Sequence, residues 1–324
     1  MVCRIITYRR STARVLLMIV IATRIPKVQK WLEDAFARYA PADSYCLMDS
    51  ELAQHATTAI AWFPDLEQLQ QLKNLKLIHS MAAGVEHLNL DQIKGHYKVC
   101  RVVDHHHQQG MFDYLQWGVL YYQRYFDLIL AQQKQQIWQQ HPQRDNASVT
   151  IGIMGLGHMG SFIATELASR GYQVLGWSRS EKNLSAVKCY SGQESFHDFL
   201  AQSEILINLL PLTQETKAIL SKPTFDHLPQ HACIINCGRG QHLLEEDLLD
   251  YLDQKRLRGA ILDVFQQEPL AKDHPFWLHP NIVVSPHMAS HAPWSVVVKQ
   301  ALDNDQRIQA GRELVNSVDI EKGY

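Results

Sequence analysis

The stretch Val149-Thr150-Ile151-Gly152-Ile153-Met154-Gly155-Leu156-Gly157-His158-Met159-Gly160 decides the fold. Val149–Met154 is a short apolar run that reads as a buried strand, and His158–Arg170 reads as a helix stopped by Gly171. Between them Gly155, Gly157 and Gly160 spell G-x-G-x-x-G. Between strand and helix, the first glycine permits a tight turn and the second lets the backbone approach a pyrophosphate. The third lets the helix lie against the strand. The phosphates then rest on the N–H groups that a helix start leaves unpaired. Gly155, Leu156, Gly157, His158, Met159 and Gly160 are therefore the candidate cofactor loop.

Working outward, Gln173–Trp177, Ile205–Leu210, Ala232–Asn236, Gly259–Val264 and Ile282–Ser285 are further strand candidates, with a helix at Leu244–Gln254. Strands joined by helical crossovers predict a doubly wound, Rossmann-type parallel sheet. At the tip of its second strand, about twenty residues past the glycines, an acid would bond the ribose 2′-OH of NAD. Here the tip is Trp177-Ser178-Arg179-Ser180, with no carboxylate before Glu181. Two hydroxyls (Ser178, Ser180) and the Arg179 guanidinium suit a 2′-phosphate, so NADP(H) is favoured, with NAD(H) second.

Upstream, Val15–Ala22, Ala59–Phe63, Leu75–His79 and Val99–Val103 read as strands, and Val28–Tyr39 and Leu66–Leu72 as helices. That is a second, smaller α/β block. Phe112 to about Trp138 reads as one long helix with Leu115, Val119, Tyr122, Phe126 and Ile129 on a single stripe, ended by His141-Pro142. The stripe points to packing, within the chain or across a homodimer. The expected division is a dinucleotide-binding domain at 111–290. A discontinuous, flavodoxin-like lid domain takes 14–110 and 291–324, after an appendage at 1–13.

Of 324 residues, 46% are hydrophobic and 20% charged, which is ordinary globular usage. Lys plus Arg total 31 against 33 acids, for a net charge of -2, which gives no field for nucleic acid or anionic lipid. The run Val15–Ala22 is too short to span a bilayer, and no small-x-small cleavage site follows it, so it reads as a first strand rather than a signal peptide. Met18 stands inside it as a possible alternative start. Six cysteines without a C-x-x-C pair point to the reducing cytoplasm.

Three segments stand at the ends of apolar runs, where such sheets place their ligands: Asn236-Cys237-Gly238-Arg239-Gly240, Asp263 to Pro269, and Ser285-Pro286-His287-Met288-Ala289. They supply a cation, carboxylates and an imidazole. Hydride transfer to a 2-oxo acid needs those types. Histidine gives the proton to the developing alkoxide, a carboxylate orients it, and arginine polarises the ketone and holds the acid group.

With these motifs in this order, the sequence resembles the D-isomer-specific 2-hydroxyacid dehydrogenase family, and within it the short-chain glyoxylate/hydroxypyruvate reductase A type. The likeness runs from about Val15 to Tyr324 and also rests on Gly84-Val85 and Leu210-Pro211-Leu212-Thr213. It implies that Arg239 binds substrate, Glu268 pairs with the base and His287 is the acid/base. It further implies that Asp263 fixes the nicotinamide carboxamide, and that Pro211 and Cys237 lie along the cofactor. The backbone at Ala83 and Gly84 would take the substrate carboxylate, with Trp62 lining that pocket. The implied activity is NADPH-dependent reduction of small 2-oxo acids, glyoxylate to glycolate and hydroxypyruvate to D-glycerate.

Three places depart from the family pattern. Gly238 replaces an Ala or Ser before the arginine and is expected to loosen that loop. Ser290 and His291 replace a small residue and a Thr. Asp104-His105-His106-His107 stands where a loop is expected, and adjacent histidines do not converge on one metal ion, so no metal is assigned. The β-hydroxyacid dehydrogenases share the glycine string but carry it at their N-terminus. The remaining alternatives are a phosphoglycerate-type dehydrogenase and a non-enzymatic dinucleotide sensor.

Overall fold

The computed structural model describes residues 18–321. The expected appendage at 1–13, the start of the Val15–Ala22 run and the C-terminal Gly323-Tyr324 lie outside the described residues. The chain forms two compact units, one of residues up to Val103 together with those from Pro293, the other Asp104–Ala292.

The first unit runs β1 (Ile19–Thr23), α1 (Pro26–Tyr39), β2 (Tyr45–Leu47), β3 (Thr58–Trp62), α2 (Leu66–Gln70), β4 (Leu77–Ser80), α3 (Leu90–Ile93) and β5 (Lys98–Cys100). Its strands are all parallel in the order β2-β1-β3-β4-β5, the flavodoxin-like arrangement. A parallel sheet covered on both faces needs apolar residues on both, and β1 and β3 are buried along nearly their whole length. Val20, Ala59, Ala61 and Ile78 pack with Leu66, Leu69 and Leu88 on one face.

The second unit runs α4 (His105–Gln123), α5 (Phe126–Lys134), β6 (Thr150–Met154), α6 (His158–Ser169), β7 (Gln173–Ser178), β8 (Val187–Ser191), α7 (Phe196–Leu200), β9 (Ile205–Asn208), α8 (Lys222–Phe225), β10 (Ala232–Asn236), α9 (Glu245–Asp253), β11 (Leu257–Leu262) and β12 (Ile282–Val284). Helix α10 (Trp294–Gln309) then packs on α1 in the first unit. The strand order β12-β11-β10-β9-β6-β7-β8 is doubly wound, with its reversal between β6 and β9. Alternate residues feed two cores. Leu206 and Ile234 face one with Leu248 and Phe199, while Ile205, Ile207 and Ile235 face the other with Ile163 and Leu115. Among the described residues no helix is long and apolar enough to cross a membrane.

Four expectations need correction. The sheets gain β2 and β8, both at an edge and each paired to one neighbour. The long helix breaks at Tyr125, whose φ is 61°. There Arg258 donates to the Tyr122 carbonyl at 3.2 Å and grips Asp127 with two bonds of 2.7 and 2.6 Å, which caps α4 and starts α5 elsewhere. The stripe therefore does not continue: Leu115, Val119 and Tyr122 are buried, but Phe126 is exposed and Ile129 only half-buried. Last, α4 begins at His105 rather than Phe112. Asp104 caps it by accepting the His107 N–H at 3.1 Å, so the histidine run is a helical turn and not a loop.

Candidate active site

The cofactor loop follows β6 at the switch point. Gly155 has φ of +100°, and a Cβ there would lie 2.9 Å from the Leu209 carbonyl oxygen, so only glycine turns the chain between β6 and β9. A Cβ on Gly160 would lie 1.8 Å from Gly155 O, which fixes how closely α6 approaches the strand. Around Gly157 there is nothing within 4 Å of a built Cβ. That open space faces the start of α6, where no side chain caps the N–H groups. Leu156 turns into the core at 1% exposure, while Gly157 and His158 are exposed and Met159 is half-buried. An exposed, uncapped helix start with room above its second glycine fits a pyrophosphate.

At the end of β7 the Ser178 hydroxyl is buried and donates to the Ser180 carbonyl at 2.8 Å, shaping the turn that carries Arg179. Arg179 is 56% exposed and lies 3.8 Å from Glu215. No carboxylate occupies the strand tip itself.

The carboxyl ends of β9 and β10 are knitted by amides. Asn208 Nδ2 donates to Asn236 Oδ1 and to His242 Nδ1, both at 2.9 Å, and the Arg239 N–H also reaches His242 Nδ1 at 3.0 Å. With Nδ1 accepting, His242 Nε2 carries the proton that goes to the Pro211 carbonyl at 3.2 Å. Gly238 does not loosen this loop: a Cβ would lie 2.8 Å from both Asn208 Nδ2 and His242 Nδ1, so glycine is what lets the amides close. Half-buried Arg239 donates to Gly238 O at 2.6 Å. Gly240 then rests on the Phe265 backbone, where a Cβ would come within 1.8 Å of Phe265 C. Cys237 is buried; burial first, then the nearby Asp263 charge, push its thiol well above its ordinary pKa.

After β11, Asp263 is buried at 2% exposure. One carboxylate oxygen accepts the Ser285 hydroxyl at 2.6 Å and the Met288 N–H at 2.9 Å, and the other accepts the Ala289 N–H at 2.9 Å. Its backbone oxygen accepts the His287 N–H at 2.8 Å. Tyr114 in turn lies 2.6 Å from the Ser285 hydroxyl. The Asp263 carboxylate thus holds the turn that presents His287. Glu268 Oε2 is 2.8 Å from His287 Nδ1, and its Oε1 accepts the Phe265 N–H at 3.0 Å. Burial would raise the Glu268 pKa, but the His287 bond, the Phe265 N–H and the charges of His287 and Arg239 outweigh it and hold the carboxyl below its ordinary value.

The first unit has its own polar centre. Ser80, the last residue of β4, is fully buried, and its Oγ accepts the Ala82 N–H at 3.0 Å. It lies 2.8 Å from the Gly84 carbonyl and 3.4 Å from His87 Nε2, so it fixes the loop containing Ala83 and Gly84. The Trp62 ring stands 4.1 Å from that of His87. Asn208, His242, Ser285, Tyr114, Ser80 and His87 were not among the expected site residues. The signal for His242 was its place three residues after Arg239 at a strand end.

Residues 117–289 match the family described as D-isomer specific 2-hydroxyacid dehydrogenase, NAD binding domain. The chain belongs to the D-isomer specific 2-hydroxyacid dehydrogenases. The glyoxylate/hydroxypyruvate reductase A of Yersinia enterocolitica is 38% identical over 84% of this chain and 88% of that protein. A family member from Klebsiella pneumoniae 342 superposes with a TM-score of 0.89 at 44% identity, covering 96% of this chain and all of that one. An NADPH-dependent glyoxylate/hydroxypyruvate reductase from Sinorhizobium meliloti, solved with NADP and sulfate, gives a TM-score of 0.85 at 29% identity over 95% of this chain and 99% of that one. As a D-2-hydroxyacid dehydrogenase the protein is an NAD(P)-dependent oxidoreductase. The expected residues Arg239, Asp263, Glu268 and His287 stand on three successive strand ends of its dinucleotide-binding sheet, linked through backbone and carboxylate contacts.

Proposed function

We propose that this dehydrogenase reduces small 2-oxo acids, glyoxylate and hydroxypyruvate among them, at the expense of NADPH. The observation that carries the proposal is the 2.8 Å pair of Glu268 and His287, mounted on buried Asp263 and next to the Arg239 loop. Gly155–Gly160 would hold the pyrophosphate on the α6 N-terminus, and Ser178, Arg179 and Ser180 the 2′-phosphate, with Pro211 and Cys237 along the same edge. Asp263 keeps some acceptor capacity beyond its three protein donors, which leaves room for a carboxamide. Bound NADPH supplies the hydride. Arg239 orients the acid and polarises its ketone, and His287 donates the proton to the oxygen while Glu268 stabilises the imidazolium. In the smaller unit, backbone at Ala83 and Gly84 takes the carboxylate and Trp62 lines the pocket; support comes from the Ser80 bonds that fix that loop.

The test is loss of reduced-nicotinamide absorbance with each acid, repeated for His287→Asn. Turnover by the wild type and a loss of roughly 10²–10⁴-fold in the variant are expected, with nucleotide binding retained. Nucleotide binding without turnover on either acid would make the protein a sensor instead. A homodimer is part of the proposal. Trp117, Leu120, Phe126, Leu128 and Leu130 of α4 and α5 are exposed together with Trp138, a concentration of apolar surface that a second copy would cover. Sedimentation as a monomer at micromolar concentration would remove that part. The cytoplasm is the proposed compartment, in keeping with buried thiols Cys46, Cys100, Cys233 and Cys237 that are all free.

A further inference from the structure

The turn after β10 holds an imidazole to which the proposed reaction gives no task. His242 is fully buried, three residues beyond Arg239, at the end of the short turn Gly240–His242. Two anchors fix it. Its backbone oxygen accepts the Leu220 N–H at 2.8 Å, and its ring nitrogen Nε2 donates to the Pro211 carbonyl at 3.2 Å. That carbonyl is itself held, because the Thr216 hydroxyl donates to it at 2.7 Å. One side of the ring therefore stands on the loop after β9.

The other side receives the peptide of Arg239. The Arg239 N–H donates to Nδ1 at 3.0 Å, and the Asn208 amide donates to the same nitrogen at 2.9 Å. The Arg239 carbonyl is taken by the Asn236 amide at 3.2 Å and by the His242 N–H at 3.1 Å. Both polar groups of this backbone unit thus end on Asn236 or His242, residues with 0% exposure. A nitrogen that accepts two donors carries no proton, so the ring serves as acceptor at Nδ1 and donor at Nε2. Stranding a buried N–H without an acceptor is costly, so the backbone that carries the guanidinium is tied to the imidazole. A residue that only filled the core would need volume; His242 supplies an acceptor at one defined point.

Resting on the reductase reading above, we infer that His242 is the positioning residue for Arg239: its Nδ1 holds the Arg239 peptide N–H and so sets where the guanidinium meets the acid group and ketone of the substrate. It touches neither substrate nor nucleotide and acts through the arginine alone.

The experiment compares the wild type with His242→Asn, His242→Gln and His242→Ala, measuring kcat/KM for glyoxylate and hydroxypyruvate, KM for NADPH, and folding by circular dichroism. Asparagine puts its amide oxygen where Nδ1 lies and keeps the acceptor. Glutamine is nearer to histidine in volume, but its polar atoms fall where Nε2 lies, so the Arg239 N–H loses its partner; alanine loses both. Asn is expected to keep kcat/KM for both acids within about threefold, while Gln and Ala lose ~10-fold or more, the cost of a misplaced orienting group. KM for NADPH stays within about threefold in every folded variant, because the glycine loop is untouched. Two acceptor-free variants are made so that one folded protein suffices. A residue that merely packs gives the reverse order, with Gln tolerated better than Asn. That order, equal losses in Asn and Gln, or a Gln variant that folds where Asn does not, overturns the assignment. Failure of the wild type on both acids overturns the reductase reading, and this one with it, before any variant is made.

Discussion

Glu268 and His287 are joined at 2.8 Å through Nδ1, and the other oxygen of Glu268 is pinned by the Phe265 N–H at 3.0 Å. The carboxylate is thus fixed by its own loop before it meets the imidazole, and Nε2 of His287 is the ring nitrogen turned away from Glu268's bond. Glu268→Gln keeps the shape and removes the charge that stabilises the imidazolium. Reduction consumes that proton, so kcat is expected to fall by about 10²-fold at neutral pH in the variant, with nucleotide binding retained. An unchanged kcat would dissociate Glu268 from the proton transfer.

The same pair makes a statement about stability. The Glu268 carboxyl lies below its ordinary 4.5 in the folded protein, so just under that pH the unfolded chain binds the proton more readily. The pair's contribution is present above 4.5 and lost as pH falls through the lower folded value. Urea midpoints measured from pH 7 downward should therefore drop more steeply below that point for the wild type than for Glu268→Gln. Parallel curves would contradict the assignment.

Two glycines of one loop are expected to fail differently. Gly160→Ala drives a Cβ to 1.8 Å from a backbone oxygen and should lower thermal stability and abolish nucleotide binding together. Gly157→Ala meets nothing within 4 Å, so the fold should keep its melting temperature while the KM for NADPH rises by ~10-fold or more as the methyl takes phosphate space. Equal melting losses in both variants would deny the second glycine its role.

Arg179 is exposed and 3.8 Å from Glu215, a pairing too solvated to serve stability. Arg179→Ala should leave melting unchanged and reduce the NADPH-over-NADH ratio of kcat/KM by about 10–100-fold, the value of a charge-assisted phosphate contact. A ratio that does not move would place the 2′-phosphate elsewhere.

Much of the site was legible because its residues stand at the ends of apolar runs. Gly155–Gly160, Arg239, Asp263, Glu268 and His287 each follow a buried strand, and burial writes itself into sequence as hydrophobicity. Strands β2 and β8 escaped notice because each pairs on one side only and is at most partly buried, so Tyr45–Leu47 and Val187–Ser191 carry no continuous apolar signal. The break at Tyr125 was illegible for another reason. Its cause is Arg258, far along the chain, taking the carbonyl of Tyr122, and no local pattern reports a distant guanidinium. His242 and Ser285 were missed likewise, since they act through hydrogen bonds whose partners come from other strands.

The opening turn of α4 touches two loops. Gln108 donates to the His158 carbonyl beside the glycines at 3.3 Å, and the His107 carbonyl receives Ser290 beside the imidazole. The separation of the glycine loop and the His287 loop is thus gauged by one helical turn, as a spacer sets the gap between two plates. It does not depend on how much polypeptide runs between them. Surface loops within that intervening chain can lengthen or shorten while the gap keeps its width, and a single residue inserted between Asp104 and Gly110 would spoil it.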